Sequence, residues 1–205
     1  MEPYCFLAFP PAAESDQGMT SSPHLPPRPG HGAPRDRMAE MLRVDHAGEL
    51  AAVHIYRGQA AVFAGTRENR LSAQFKRMEG EEQTHLDAFE SLLRERHIRP
   101  TLLALVWRLA ALGLGAGTAL LGEKAAHACT EAVESVIEEH YADQIAEVTP
   151  SDPGLAARLT QFRDDELGHH DHAIEQGARE APAYPLLSAV IRAGCRAAIA
   201  LSEKI

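Results

Sequence analysis

Between residues 38 and 205 apolar side chains recur every three or four positions, and no stretch alternates apolar and polar residues for long enough to make a strand. The pattern predicts an all-α domain. A first helix over 38–64 carries Ala52, Val53, Tyr56, Ala60 and Phe63 along one face. It stops at Gly65, a residue that accepts the left-handed conformation common at helix ends. A second helix over 68–96 gathers Phe75, Met78, Leu86 and Phe89 on one face. Arg94, Arg96 and Arg99 follow, where cations complement the C-terminal dipole, before Pro100 breaks the chain. The most apolar segment, "TLLALVWRLAALGLGAGTALLG", comes next. A helix over 123–147 ends before Pro150, and Asp152 with Pro153 form the N-cap and first-turn pair of another over 154–177. A last amphipathic helix runs from Pro185 to about Leu201.

Glu49 lies inside the apolar stripe of the first helix. An ionised carboxylate in a dry core costs many kcal/mol unless it is paired, protonated, hydrated or bound to a cation. Two Glu-x-x-His motifs, Glu82 to His85 and Glu166 to His169, share faces with Phe75, Met78, Leu86 and Phe89 in one case and with Leu159 and Phe162 in the other. Glu49 precedes Glu82 by 33 residues and Glu134 precedes Glu166 by 32, with a chain break midway in each interval. Each half therefore folds as a helical hairpin supplying one glutamate from its first helix and Glu-x-x-His from its second. Two such hairpins face to face bring four carboxylates and two imidazoles into a bundle core, the donor set of ferritin-like di-iron and di-manganese proteins. Carboxylates offset and bridge two divalent cations, imidazoles favour iron or manganese over magnesium, and no thiolates are placed for structural zinc. Among Glu131, Glu134 and Glu138, Glu134 fits the half-repeat spacing best. Asp45, His46, His140, Tyr141, His170 and Asp171 lie close enough in sequence to orient ligands, or equally to serve as surface or core residues.

Residues 1–37 hold eight of the thirteen prolines and are expected to be a disordered tail, leaving 38–205 as a single ferritin-like di-iron domain. The formal charge of −9 argues against a nucleic-acid partner. Cys5, Cys129 and Cys195 are few and scattered, which fits reduced thiols in a bacterial cytoplasm. Arg108 interrupts the apolar segment and only 14 uncharged residues follow it, too few to span a bilayer. The segment also falls where a ferritin-like bundle needs its long crossover, so it is expected to lie in a membrane surface. Arg192 and Arg196 on one side of the last helix and Leu186, Val190 and Leu201 near another suit the same interface.

The motifs "RVDHAGE", "GAGTALLG", "ACTEAVE", "FRDDELGHHD" and "PAYPLLSAVIRAGCRAAIALSE" together resemble the 5-demethoxyubiquinol hydroxylases, the di-iron monooxygenases of ubiquinone biosynthesis, over residues 40–205. The resemblance implies a ferritin-like four-helix bundle with an apolar crossover helix and an additional C-terminal amphipathic helix. It implies two iron ions held by Glu49, Glu82, His85, Glu134, Glu166 and His169, with Glu82 and Glu166 bridging. Its implied partners are a polyprenyl quinol, O2, an electron donor that the sequence leaves open, and the cytoplasmic side of a bacterial inner membrane bound peripherally. A homo-oligomer is compatible with it. The competing reading from the same six ligands is an iron-storage or ferroxidase subunit, which would need a soluble outer surface for shell assembly.

Overall fold

The computed structural model describes residues 34–205, which form six α-helices and one short 3-10 turn and, among the described residues, no strand. They are α1 (Pro34–Phe63), α2 (Asn69–Glu95), α3 (Ala104–Leu120), α4 (Glu123–Val148), α5 (Pro153–Glu175) and α6 (Tyr184–Ser202). The all-α expectation holds. Of the tail expected to be disordered, residues 1–33 lie outside the described residues, whereas 34–37 belong to α1. That helix begins four residues earlier than the apolar pattern indicated. Proline is tolerated in a first turn because the N–H it lacks would have no intrahelical partner there. Arg37 extends the helix usefully, since its guanidinium pairs with Glu147 of α4 at 3.1 Å and with Glu203 at 3.2 Å.

α1 and α2 form one antiparallel hairpin, turning at Gly65 with φ +73°, and α4 and α5 form the other. Asp152 caps α5 by accepting from the Leu155 N–H at 3.0 Å, with Pro153 next to it, as the sequence indicates. The arginines after α2 act differently from expectation. Arg96 reaches across to the Asp152 carboxylate at 2.6 Å and Arg99 donates to the Ile205 carbonyl at 2.7 Å, so they tie chain segments together more than they cap a dipole.

The crossover, α3, lies against α1. A Cβ on Gly115 would stand 2.1 Å from the Ile55 carbonyl oxygen, and one on Gly58 would stand 2.5 Å from that of Leu112. Both obstacles are backbone, so neither can swing aside. Gly115→Ala is therefore expected to part the two helices and lower stability by roughly 1–3 kcal/mol. Gly117→Ala, where nothing stands within 4 Å, should leave the melting temperature within a degree or two, on the scale of an ordinary surface substitution.

Two apolar clusters fill the bundle. One joins Leu42, Phe89, Tyr141, Leu159 and Phe162; the other joins Tyr56, Phe63, Leu71, Phe75 and Met78. The buried acidic residues lie along the helices between these two clusters.

Candidate metal centre

Glu49, Glu82, Glu134 and Glu166 are each at most 2 % exposed, and His85 is 5 % exposed. Their donor atoms fall into two groups. Glu49, Glu82, His85 and Glu166 form one; Glu82, Glu134, Glu166 and His169 form the other, with all ligand atoms of a group within 4.8 Å of one another. Glu82 and Glu166 are common to both. The six residues singled out in the sequence are thus brought together, and two of them are positioned to be shared.

Both imidazoles turn Nδ1 inward and Nε2 outward. His85 Nδ1 lies 3.2 Å from Glu166 Oε1 and 3.5 Å from Glu49 Oε2, while His169 Nδ1 lies 2.8 Å from Glu82 Oε1. Outside, His85 Nε2 meets Asp165 Oδ2 at 3.3 Å and His169 Nε2 meets Glu81 Oε2 at 2.9 Å. Glu81 and Asp165 each stand immediately before the glutamate of a Glu-x-x-His motif, and each serves the histidine of the opposite hairpin. The tyrosines repeat this exchange. Tyr56, seven residues after Glu49, donates to Glu134; Tyr141, seven residues after Glu134, donates to Glu49.

Despite these bonds, five carboxylate oxygens of the cluster stay buried without a well-aligned hydrogen bond: Glu49 Oε2, both of Glu82, Glu134 Oε2 and Glu166 Oε2. Unpartnered oxygens in a low-dielectric core are costly, and a pair of divalent cations would satisfy them. Four carboxylates and two imidazole nitrogens are the donor types that iron and manganese take. The residues present fit a two-metal site.

Of the other acidic candidates, Glu131 turns away from the cluster to Arg192 at 2.6 Å and so anchors α6 to α4. Glu138 takes no part in either donor group. His170 approaches Glu131 at 3.7 Å, and Asp171 is exposed. Asp45 and His140 meet through Gln144. Tyr56, Glu81, Gln144 and Asp165 escaped the reading of the sequence. The duplicated offsets of the tyrosines and of the outer acids were the signal available.

Alongside this cluster runs a cavity of about 400 Å³, enclosed by α1, α3, α4 and α6 and lined almost wholly by apolar side chains, with Glu49 and Tyr141 on its wall. The sequence profile of the ubiquinone biosynthesis protein COQ7 family matches residues 36–202. The chain belongs to the COQ7 family. A 3-demethoxyubiquinol 3-hydroxylase of Rhodospirillum rubrum is 46 % identical over 177 residues, covering 86 % of this chain and 82 % of that protein. An NADPH-dependent 3-demethoxyubiquinone 3-hydroxylase, mitochondrial, of Caenorhabditis elegans is 45 % identical over 170 residues, covering 81 % and 89 %. A 5-demethoxyubiquinone hydroxylase, mitochondrial, of Saccharomyces cerevisiae is 39 % identical over 180 residues, covering 80 % and 77 %. Membership of the COQ7 family agrees with the resemblance drawn from the motifs and makes the protein an oxidoreductase of ubiquinone biosynthesis.

The cluster's electrostatics set a pH dependence. Burial opposes charge on His169, but the carboxylates of Glu166 and Glu82 outweigh it and push the imidazolium up to about 12. His85 is raised in the same way by Glu166, Glu49 and Glu82. Burial, and then the neighbouring carboxylates, raise Glu134; Glu49 is raised by burial too. Every one of these groups holds its proton more tightly folded than unfolded. The folded state therefore binds more protons, and stability of the metal-free protein falls as pH rises. The carboxyl contribution declines above about 4.5 and the histidine contribution above about 6.5, each proton costing on the order of 1.4 kcal/mol per pH unit. Thermal melts of chelator-treated protein should drop from pH 6 to pH 9; a rise would contradict these shifts.

Proposed function

We propose that this chain hydroxylates the ring of a demethoxylated polyprenyl benzoquinol, using two iron ions held by Glu49, Glu82, His85, Glu134, Glu166 and His169. The single observation that carries the reading is the junction of the two-group donor cluster with the apolar cavity at Glu49. Relatives named as demethoxyubiquinol or demethoxyubiquinone hydroxylases support it.

When bound, a reduced iron pair supplies oxygen-activating chemistry: one atom of O2 enters the ring, the other leaves as water, and a reductant provides two electrons. The chain's own residues do the rest. Glu82 and Glu166 belong to both donor groups and would be shared between the ions, while Glu49 with His85 would hold one and Glu134 with His169 the other. Glu81 and Asp165 accept from the outward Nε2–H groups, which leaves each Nδ1 lone pair facing inward. Tyr56 and Tyr141 hold one oxygen of Glu134 and of Glu49, which would leave the other oxygen of each for the ions. The apolar clusters above and below the donor residues keep the reacting centre in low-dielectric surroundings along the bundle axis. The cavity, within the usual range for small-ligand sites, takes the ring and the first units of its tail. Several relatives are named NADPH-dependent, and the same class of reductant is proposed here.

Delivery of so insoluble a substrate calls for a bilayer. Leu102, just before α3, and Leu105, Val106, Leu109 and Leu120 on its outer face are exposed, as are Leu186, Val190 and Leu201 of α6. By length and composition alone α6 could cross a membrane, but Arg192 and Arg196 pair with Glu131 and Glu139 of α4, which keeps it along the bundle. The proposed location is peripheral, on the cytoplasmic face of a bacterial inner membrane. Membrane-facing leucines also weigh against the storage-protein alternative, whose shell needs a soluble exterior. Mass spectrometry of quinones from cells lacking this protein should find the ring-demethoxylated precursor; a normal quinone profile would overturn the proposal.

A further inference from the structure

Outside the metal cluster the polar residues lining the apolar cavity are Asp45, His140 and Ser202, and of these three Asp45 keeps a buried polar atom without a partner. Asp45 lines the cavity one helical turn before Glu49 on α1, and its residue is 4 % exposed. Gln144 donates to Asp45 Oδ1 at 2.7 Å and also reaches His140 Nε2 at 2.8 Å, which fixes the carboxyl plane. Asp45 Oδ2 is left buried with no partner. An unpartnered buried oxygen on a residue that lines an apolar cavity costs free energy that the polar edge of a ligand would recover once the side chain turned that oxygen to the cavity.

We infer that Asp45, held by Gln144, is the hydrogen-bonding anchor for a ring oxygen of the quinol and sets which ring edge faces Glu49. The inference rests on the reading of the cavity as the quinol site. One helical turn, about 5.4 Å, is comparable with the breadth of a substituted benzene ring, so a ring bonded at Asp45 presents its other edge at the cluster. Burial raises the Asp45 carboxyl well above its usual range, with Gln144 opposing and Glu49 adding to the rise. A carboxyl shifted in this direction accepts from a ring hydroxyl, and when protonated it also donates to a ring oxygen. Asp45 is thus a positioning residue: it acts on the ring's orientation and takes no place among the metal's donors.

The protein's one tryptophan, Trp107, lines the same cavity and reports its occupancy by fluorescence. Iron-loaded full-length protein, under nitrogen, would be titrated with a decyl-tailed demethoxyquinone and, separately, with decanol, which has the tail but no ring. Asp45→Leu is expected to weaken quinone binding by about tenfold or more, the scale of one lost buried hydrogen bond. Its iron content and decanol binding should stay as in wild type. Asp45→Asn, which keeps hydrogen-bonding groups of the same shape, should restore quinone binding to within about threefold. Unchanged quinone binding in Asp45→Leu, equal loss of quinone and decanol, or equal loss in both variants overturns the anchor while leaving the cavity as the quinol site. A wild-type protein that binds decanol and no quinone overturns the function reading, and the anchor with it.

Discussion

Alanine at Glu166 will remove both metals, whereas alanine at Glu49 will remove one. Glu166 belongs to both donor groups and Glu49 to the first alone, so the two substitutions test whether a residue common to both groups serves both ions and a residue of one group serves one. Protein loaded anaerobically with iron should hold about two ions per chain in wild type, about one in Glu49→Ala and close to none in Glu166→Ala, because each ion keeps too few donors once a shared carboxylate is gone. Hydroxylation should fall below detection in Glu166→Ala. Its fold should survive, since the two apolar clusters that hold the helices together do not include Glu166; chelator-treated Glu166→Ala is expected to keep its helical content and a cooperative melt. Full iron content in Glu166→Ala would mean that the donor assignment is wrong.

A charge on the outer face of α3 will separate membrane delivery from chemistry. Val106 is 52 % exposed and Leu109 is 64 % exposed, so glutamate at either position does not disturb the bundle core. Leu103, at the start of α3, is half-buried and makes a poorer probe. A glutamate at an apolar membrane interface costs on the order of a few kcal/mol. Val106→Glu and Leu109→Glu should therefore weaken binding to liposomes and slow turnover of a long-tailed quinol by about tenfold or more, with iron content unchanged. Turnover of a short-tailed, water-soluble quinol needs no bilayer and should stay near wild type. Equal losses for both substrates with intact liposome binding would move the entrance elsewhere.

The chain's periodicity carries most of this architecture. Gly65, Pro150 and Asp152–Pro153 mark the turns because each has backbone chemistry that helices end or begin on, and all three do so here. Pro34 shows the limit: a proline compatible with a first turn reads the same in a tail as in a helix, and only the pairing of Arg37 with Glu147 and Glu203 decides. That these six residues would cluster was legible because a glutamate in an apolar stripe demands a partner and because the spacing repeats. Their supports were not. Tyr56 looks like one more core residue in a stripe until α4 is seen to bring Glu134 to its hydroxyl. Glu81 and Asp165 look like solvated acids until the opposite hairpin's histidine is seen against each. Such roles depend on which helix faces which, and local pattern does not encode that. The cavity is of the same kind: it is made of ordinary alanines, valines and isoleucines from four helices, and becomes a site only when α3 and α6 close over α1 and α4.

The most direct test of the central claim is the fate of molecular oxygen. Purified, iron-loaded protein would be given a demethoxylated quinol and a reductant under oxygen-18 gas, and the product examined by mass spectrometry. The proposed hydroxylation gives a quinol carrying one oxygen-18 atom on the ring, formed in proportion to reductant consumed. A hydroxylated product without the label, or steady oxidation of added ferrous iron with the quinol left unchanged, would contradict it.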